Sequence, residues 1–173
     1  LKRKSPEDLV NDGILKTNPT LPEPGTGLGK FFNKNLSEVP KIDGIPSIVV
    51  ECANYLENSG GMREEGLFRV PGSAEEVNAI TTAFDSVGSC DLSSYEVSSV
   101  AGSLKLFFRN MPEPLFTFDH YSDFINVAKQ CSGDETALLN GLTNALSSIP
   151  RDNSLLVVYL LRFLLKCSHY YSE

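Results

Sequence analysis

The sequence predicts an all-α fold. Apolar residues recur at three- and four-residue spacings from Ile45 to the C-terminal region, and these runs are closed by Gly60-Gly61, by Pro112 and Pro114, and by Pro150. No stretch alternates as a half-buried strand does, and no internal repeat is visible. With 173 residues and 18.9 kDa the chain has room for one domain whose core needs neither disulfides nor metals. Hydrophobic residues make up 41% and charged residues 21%, a globular balance that excludes disorder throughout.

Residues 1–30 differ from the rest. They carry Pro6, Pro19, Pro22 and Pro24 and end in Gly25-Thr26-Gly27-Leu28-Gly29-Lys30, so they read as a flexible N-terminal extension. A short helix from Pro6 to Lys16, capped by Ser5, fits within it. The glycines and Lys30 do not make a phosphate loop, because Phe31 stands where Ser or Thr is needed and no buried strand comes before them. The domain itself is expected over residues 31–173.

The first helix follows from Ile45, Ile48, Val49, Cys52, Ala53 and Leu56. Ser73 and Glu76 have the spacing of a capping box ahead of the stripe Val77, Ile80 and Phe84. Val97, Val100, Ala101, Leu104 and Phe108 mark a third helix, ended by Pro112 and Pro114. Tyr121, Phe124, Ile125 and Ala128 suggest a fourth; Leu138, Leu139, Leu142, Leu146 and Ile149 suggest a fifth, ended by Pro150. The last runs from Ser154 to about Tyr170 with Asp152 or Asn153 as its cap. It is apolar nearly all round, which suits the centre of a bundle.

Composition removes several function classes. Fifteen Lys and Arg against 22 Asp and Glu give a net charge of −7, which repels phosphate backbones and disfavours nucleic acid as a partner. The four cysteines, at 52, 90, 131 and 167, have no metal-ligand spacing, and Cys52 falls in an apolar pattern as a buried free thiol; a reducing, cytoplasmic setting fits them. His120 and His169 stand near no nucleophile motif. The longest apolar run, Leu155 to Leu161, is too short to span a bilayer, and Leu1-Lys2-Arg3-Lys4 leads into no apolar core of a secretory signal.

Two places are left unexplained by core building. Glu64-Glu65-Gly66-Leu67-Phe68-Arg69-Val70-Pro71-Gly72-Ser73 is a non-helical connection in which Leu67, Phe68 and Val70 would pin the loop while Arg69 points away, its side chain extended. Such an arginine either presents its charge to another molecule or pairs with Glu64 or Glu65; spacing leaves both open. Lys105 and Arg109 share a face of the third helix away from its apolar stripe. Arg109 lies near the C-terminal helix end, where the dipole favours a cation, so a solvated face accounts for this pair as well. The stiff turn Asn110-Met111-Pro112-Glu113-Pro114-Leu115-Phe116 follows.

Together these segments resemble a known family. Glu65 to Ser73 is similar to the arginine-finger loop of Rho GTPase-activating protein (RhoGAP) domains. Val100-Ala101-Gly102-Ser103-Leu104-Lys105-Leu106-Phe107-Phe108-Arg109-Asn110-Met111-Pro112-Glu113-Pro114-Leu115 resembles that family's second signature. Phe31 to Leu36 and Ile45-Pro46 also match the opening of such a domain, so the resemblance covers about residues 31–173.

It implies a RhoGAP-like helical bundle that acts on a GTP-bound Rho-family GTPase. GTP and Mg²⁺ are bound by that partner, and this chain needs no cofactor of its own. Arg69 is implied as the finger, its carbonyl helping to hold the GTPase's glutamine, while Lys105 and Arg109 support the loop and face the switch regions. A monomer is implied, with any membrane recruitment coming from outside this chain. The alternative is a module that docks on a GTPase or another signalling protein without accelerating hydrolysis.

The chain departs from the pattern at Asn110 and Met111, where an acidic residue and leucine are usual, and at Gly102-Ser103, where bulkier residues are usual. It also stops at Tyr171-Ser172-Glu173, where a further helix carrying an interface asparagine would begin; by this reading the last C-terminal segment is lacking.

Overall fold

The structure, a computed structural model, describes residues 29–170. The short helix expected from Pro6 to Lys16, and the glycine run up to Leu28, lie outside the described residues.

The domain begins with an arm laid against the core. Phe31 and Phe32 are almost fully buried, meeting Phe84 and Phe107 edge-on at 5.8 and 6.3 Å between ring centroids. Asp85 Oδ1 accepts the backbone N–H groups of both phenylalanines, at 2.8 and 3.1 Å. Lys30 donates from Nζ to the Val87 carbonyl at 2.7 Å, a cation on the carbonyl end of a helix.

Two short antiparallel strands follow, β1 (Lys41–Ile42) and β2 (Ile45–Pro46), with Lys41 opposite Pro46 and Ile42 opposite Ile45. They leave the fold all-α, as expected, and correct only the start of the first helix, since Ile45 lies in β2. Asp43 and Gly44 both have positive φ, at 50° and 83°, the geometry of a tight hairpin turn, and Asp-Gly was its signal in the sequence.

The helices are α1 (Ser47–Asn58), α2 (Ala74–Ser86), α3 (Val97–Arg109), α4 (Tyr121–Gln130), α5 (Glu135–Ser148) and α6 (Arg151–Tyr170). The core lies where α1, α2 and α3 pack together, built from Ile48, Cys52, Leu56, Ile80, Phe84, Val100 and Leu104. Gly102 lets Val77 approach, since a Cβ there would stand 3.0 Å from a Val77 methyl. α4 and α5 form a hairpin that packs mainly on itself: no residue of α4 is buried and only Ala145 of α5 is.

The last helix differs from its expected form in two ways. It starts at Arg151, one turn earlier than read, with the Pro150 carbonyl accepting the Ser154 N–H at 3.0 Å. Neither Asp152 nor Asn153 caps it: Asp152 pairs with Lys41 at 2.6 Å, and Asn153 donates from Nδ2 to the Leu115 carbonyl at 3.0 Å, pinning the turn that follows α3. It is not central either. Asn153, Leu156, Val157 and Phe163 are buried, whereas Leu161 and Leu165 are 57% and 60% exposed. Among the described residues no helix is long and apolar enough to cross a membrane.

Candidate functional site

The connection between α1 and α2 carries Arg69. Gly60, at φ 79°, ends α1, and a 3₁₀ turn, Gly61–Arg63, swings the chain back with Met62 buried beneath it. Gly66, at φ 78°, reverses the chain again, and its carbonyl accepts the N–H groups of Arg69 and Val70 at 2.7 and 2.8 Å. Residue 69 is thereby put on the outside of a closed turn. Leu67 is buried below it, and Phe68 is half-buried with its ring edge-on to Phe163 of α6 at 6.2 Å. Val70 does not pin the loop as expected; it is 44% exposed, because the turn closed on Gly66 rotates it outward with Arg69.

Arg69's side chain is 77% exposed. It folds back over Gly66, where a Cβ would stand 3.1 Å from the guanidinium, instead of extending from the loop as the sequence suggested. Of the two carboxylates offered as partners, Glu65 is the one within contact distance, at 3.9 Å and itself 88% exposed. A pair so long and so wet contributes little and is easily given up.

Lys105 donates from Nζ to the Phe68 carbonyl at 2.9 Å, joining α3 to the residue just before Arg69. Arg109 stands one turn further along α3, exposed at its C-terminal end. Lys105 and the Arg69 loop are therefore brought together, with Arg109 on the adjoining part of the helix surface.

On the other side of Arg69 the loop is seated closely on the start of α3. Ser73 N–H donates to the Ser99 hydroxyl at 3.0 Å, and a Cβ on Gly72 would lie 2.4 Å from Ser99 Cα. Sequence reading singled out neither Ser99 nor Phe163, since one looked like helix filler and the other like core. A polar residue inside the apolar stretch that opens α3 was the available signal. Between the loop and α6 lies an open cleft of about 450 Å³ lined by Met62, Leu67, Phe68, Cys167 and Ser168. Burial pushes the Cys167 thiol up, which disfavours its thiolate.

Among the described residues no group of three or more His, Cys, Asp or Glu could hold a metal ion. His120 lies 3.0 Å from Asp123 at the start of α4, a local helix-end contact. The site as described holds cations presented from a backbone frame, with no nucleophile and base in hydrogen-bond reach of each other.

The solved human Rho GTPase activating protein 15 has a similar fold, with a TM-score of 0.74 at 22% identity over 96% of this chain and 74% of that one. Human Rho GTPase-activating protein 24 is 39% identical over 121 residues, 69% of this chain. Human SLIT-ROBO Rho GTPase-activating protein 1 is 36% identical over 149 residues, 83% of this chain. This chain spans only 16% and 14% of the lengths of those two relatives. The RhoGAP domain model matches residues 46–173, most of the chain and both segments that carry the basic residues, and on that match the chain belongs to the RhoGAP domain family.

Proposed function

We propose that this chain accelerates GTP hydrolysis by a GTP-bound Rho-family GTPase, with Arg69 entering the partner's nucleotide site in trans. The observation that carries this reading is the strut from Lys105 to the Phe68 carbonyl, which fixes the backbone directly before an arginine whose side chain is largely in solvent. A solvated arginine with a merely electrostatic duty needs no such frame.

In the reaction a water attacks the γ-phosphorus, the bond from that phosphorus to the β–γ bridging oxygen breaks, and GDP and phosphate leave. Negative charge grows on the bridging oxygen and the γ-oxygens. The planar guanidinium of Arg69 neutralises it through two N–H donors, and an arginine supplied in this way is worth roughly 10³–10⁵ in rate. Arg69 must first swing away from Gly66 and Glu65. The weakness of the 3.9 Å pair makes that motion cheap. The Arg69 carbonyl helps to hold the partner's water-positioning glutamine. Arg109, at the end of α3, meets acidic or carbonyl groups of the switch regions.

Single-turnover hydrolysis by a panel of Rho-family GTPases tests this. Arg69→Ala is expected to lower the maximal rate at least about a hundredfold with little loss of binding, and Arg69→Lys to recover only a small part of it. An alanine variant working at full rate would refute the finger. Binding with no acceleration by the wild-type chain would favour the docking module.

A further inference from the structure

Ser73 and Glu76 have the sequence of a reciprocal capping box, but only half of it forms. The Ser73 hydroxyl accepts the Glu76 N–H at 3.4 Å, as that box requires. The Glu76 carboxylate does not return to the Ser73 N–H. It crosses to the next helix and accepts the Glu96 N–H at 3.1 Å. The Ser73 N–H is taken instead by Ser99 Oγ at 3.0 Å. The two helix starts have thus exchanged partners: α2 supplies an acceptor for the start of α3, and α3 supplies one for the start of α2.

Ser99 is fully buried, and a buried helical serine ordinarily turns its hydroxyl back onto its own helix. Ser103 does this, donating to the Ser99 carbonyl at 3.0 Å. Ser99 reaches across to the loop, where Gly72 comes so close that no side chain would fit between them. The loop is therefore held by α3 on both sides of Arg69, through Lys105 at Phe68 and through Ser99 at Ser73, while the turn closed on Gly66 carries Arg69 and Val70 between them.

We propose that Ser99 is a positioning residue for Arg69: its hydroxyl, accepting the Ser73 N–H, fixes the C-terminal arm of the loop as Lys105 fixes the N-terminal arm. This rests on the reading of Arg69 as a finger. Freed at one end, the loop still docks, but its arginine spends less time aligned, and small misplacements of a catalytic group are expensive in rate.

The test uses the whole chain with Ser99→Ala, and Ser103→Ala as a control that removes a neighbouring buried hydroxyl with no bond to the loop. Ser99→Ala is expected to lower the saturating single-turnover rate about tenfold, with the half-saturating concentration changed less than about twofold. Ser103→Ala is expected to lose comparable thermal stability and keep its rate. Amide exchange over residues 66–73 is followed in both, and only Ser99→Ala should speed it. Equal rate losses in the two variants, a wild-type rate in Ser99→Ala, or unchanged loop exchange would each overturn the proposal. The exchange readout does not depend on catalysis. A wild-type chain that fails to accelerate hydrolysis, or an Arg69→Ala variant that works fully, therefore counts against the finger, while the loop exchange still decides whether Ser99 holds the arm.

Discussion

Helices α3 and α4 are equally amphipathic, yet seven residues of α3 are buried and none of α4 is. Both stripes have the period that makes a helix; they differ in what meets them. α3 lies between α1 and α2, so Val100, Leu104 and Phe107 find walls on both sides. α4 meets chiefly α5, in a hairpin where Gly141 lies against Val127, and Tyr121 and Ile125 remain 53% and 37% exposed. A stripe shows that a helix has an apolar side, and only the neighbours decide how much of that side leaves water. The proposed site follows the same division: Lys105, Ser99 and Arg109 all stand on α3, the helix packed between α1 and α2.

The largest consequence of this difference is in thiol reactivity. Cys52, fully buried on α1 against α3, should react with a thiol reagent only through global opening, whereas Cys131, half-buried at the end of α4, should react through opening of the hairpin alone. Labelling of Cys131 is expected to be faster by roughly 10³ or more, the ratio set by ordinary folding stabilities. Comparable rates, measured by mass spectrometry of modified peptides, would mean that the two regions open together.

Truncation makes the same comparison energetically. Leu104→Ala is expected to cost about 2–5 kcal/mol, for lost transfer energy and a cavity that the packed helices cannot close. Ile125→Ala, one-third exposed in the native state, is expected to cost less than about 1 kcal/mol. Urea denaturation of both variants checks this, and similar losses would mean that α4 has a buried partner.

A smaller effect appears at alkaline pH. Burial pushes the Cys52 thiol far above its ordinary range, with the charges of Glu51 and Cys90 adding to the shift. The unfolded thiol ionises from about pH 8.5 upward while the folded one stays neutral, so this contribution is fully present below that pH. It is lost as pH rises, at up to about 1.4 kcal/mol per unit. Denaturation midpoints between pH 8 and 10 should fall more steeply for the wild-type chain than for Cys52→Ala. Parallel slopes would place the alkaline loss on other groups.

Much of the fold was legible because helix period, proline stops and the Ser73 cap are local. Helices α1 to α5 lie where apolar spacing put them, apart from the displaced start of α1. That start moved because Asp43-Gly44 folds a hairpin and Pro46 is extended, at ψ 128°. Arg69, Lys105 and Arg109 were legible only as part of two long motifs, since spacing alone left each with an ordinary explanation. Ser99 and Phe163 were missed because their partners lie far away in the chain: Ser73 is 26 residues from Ser99, and Phe68 belongs to another element than Phe163.

The sequence by itself determined which segments are helical, where they stop and that Cys52 is buried. Each of these follows from steric and solvation preferences read over a few neighbouring residues. Tertiary structure alone decided that Glu76 caps α3 instead of its own helix, that Arg69 rests over Gly66, and that one side of α6 meets solvent. Those outcomes depend on which groups distant in the chain come within hydrogen-bond or van der Waals range, and no local preference encodes that distance.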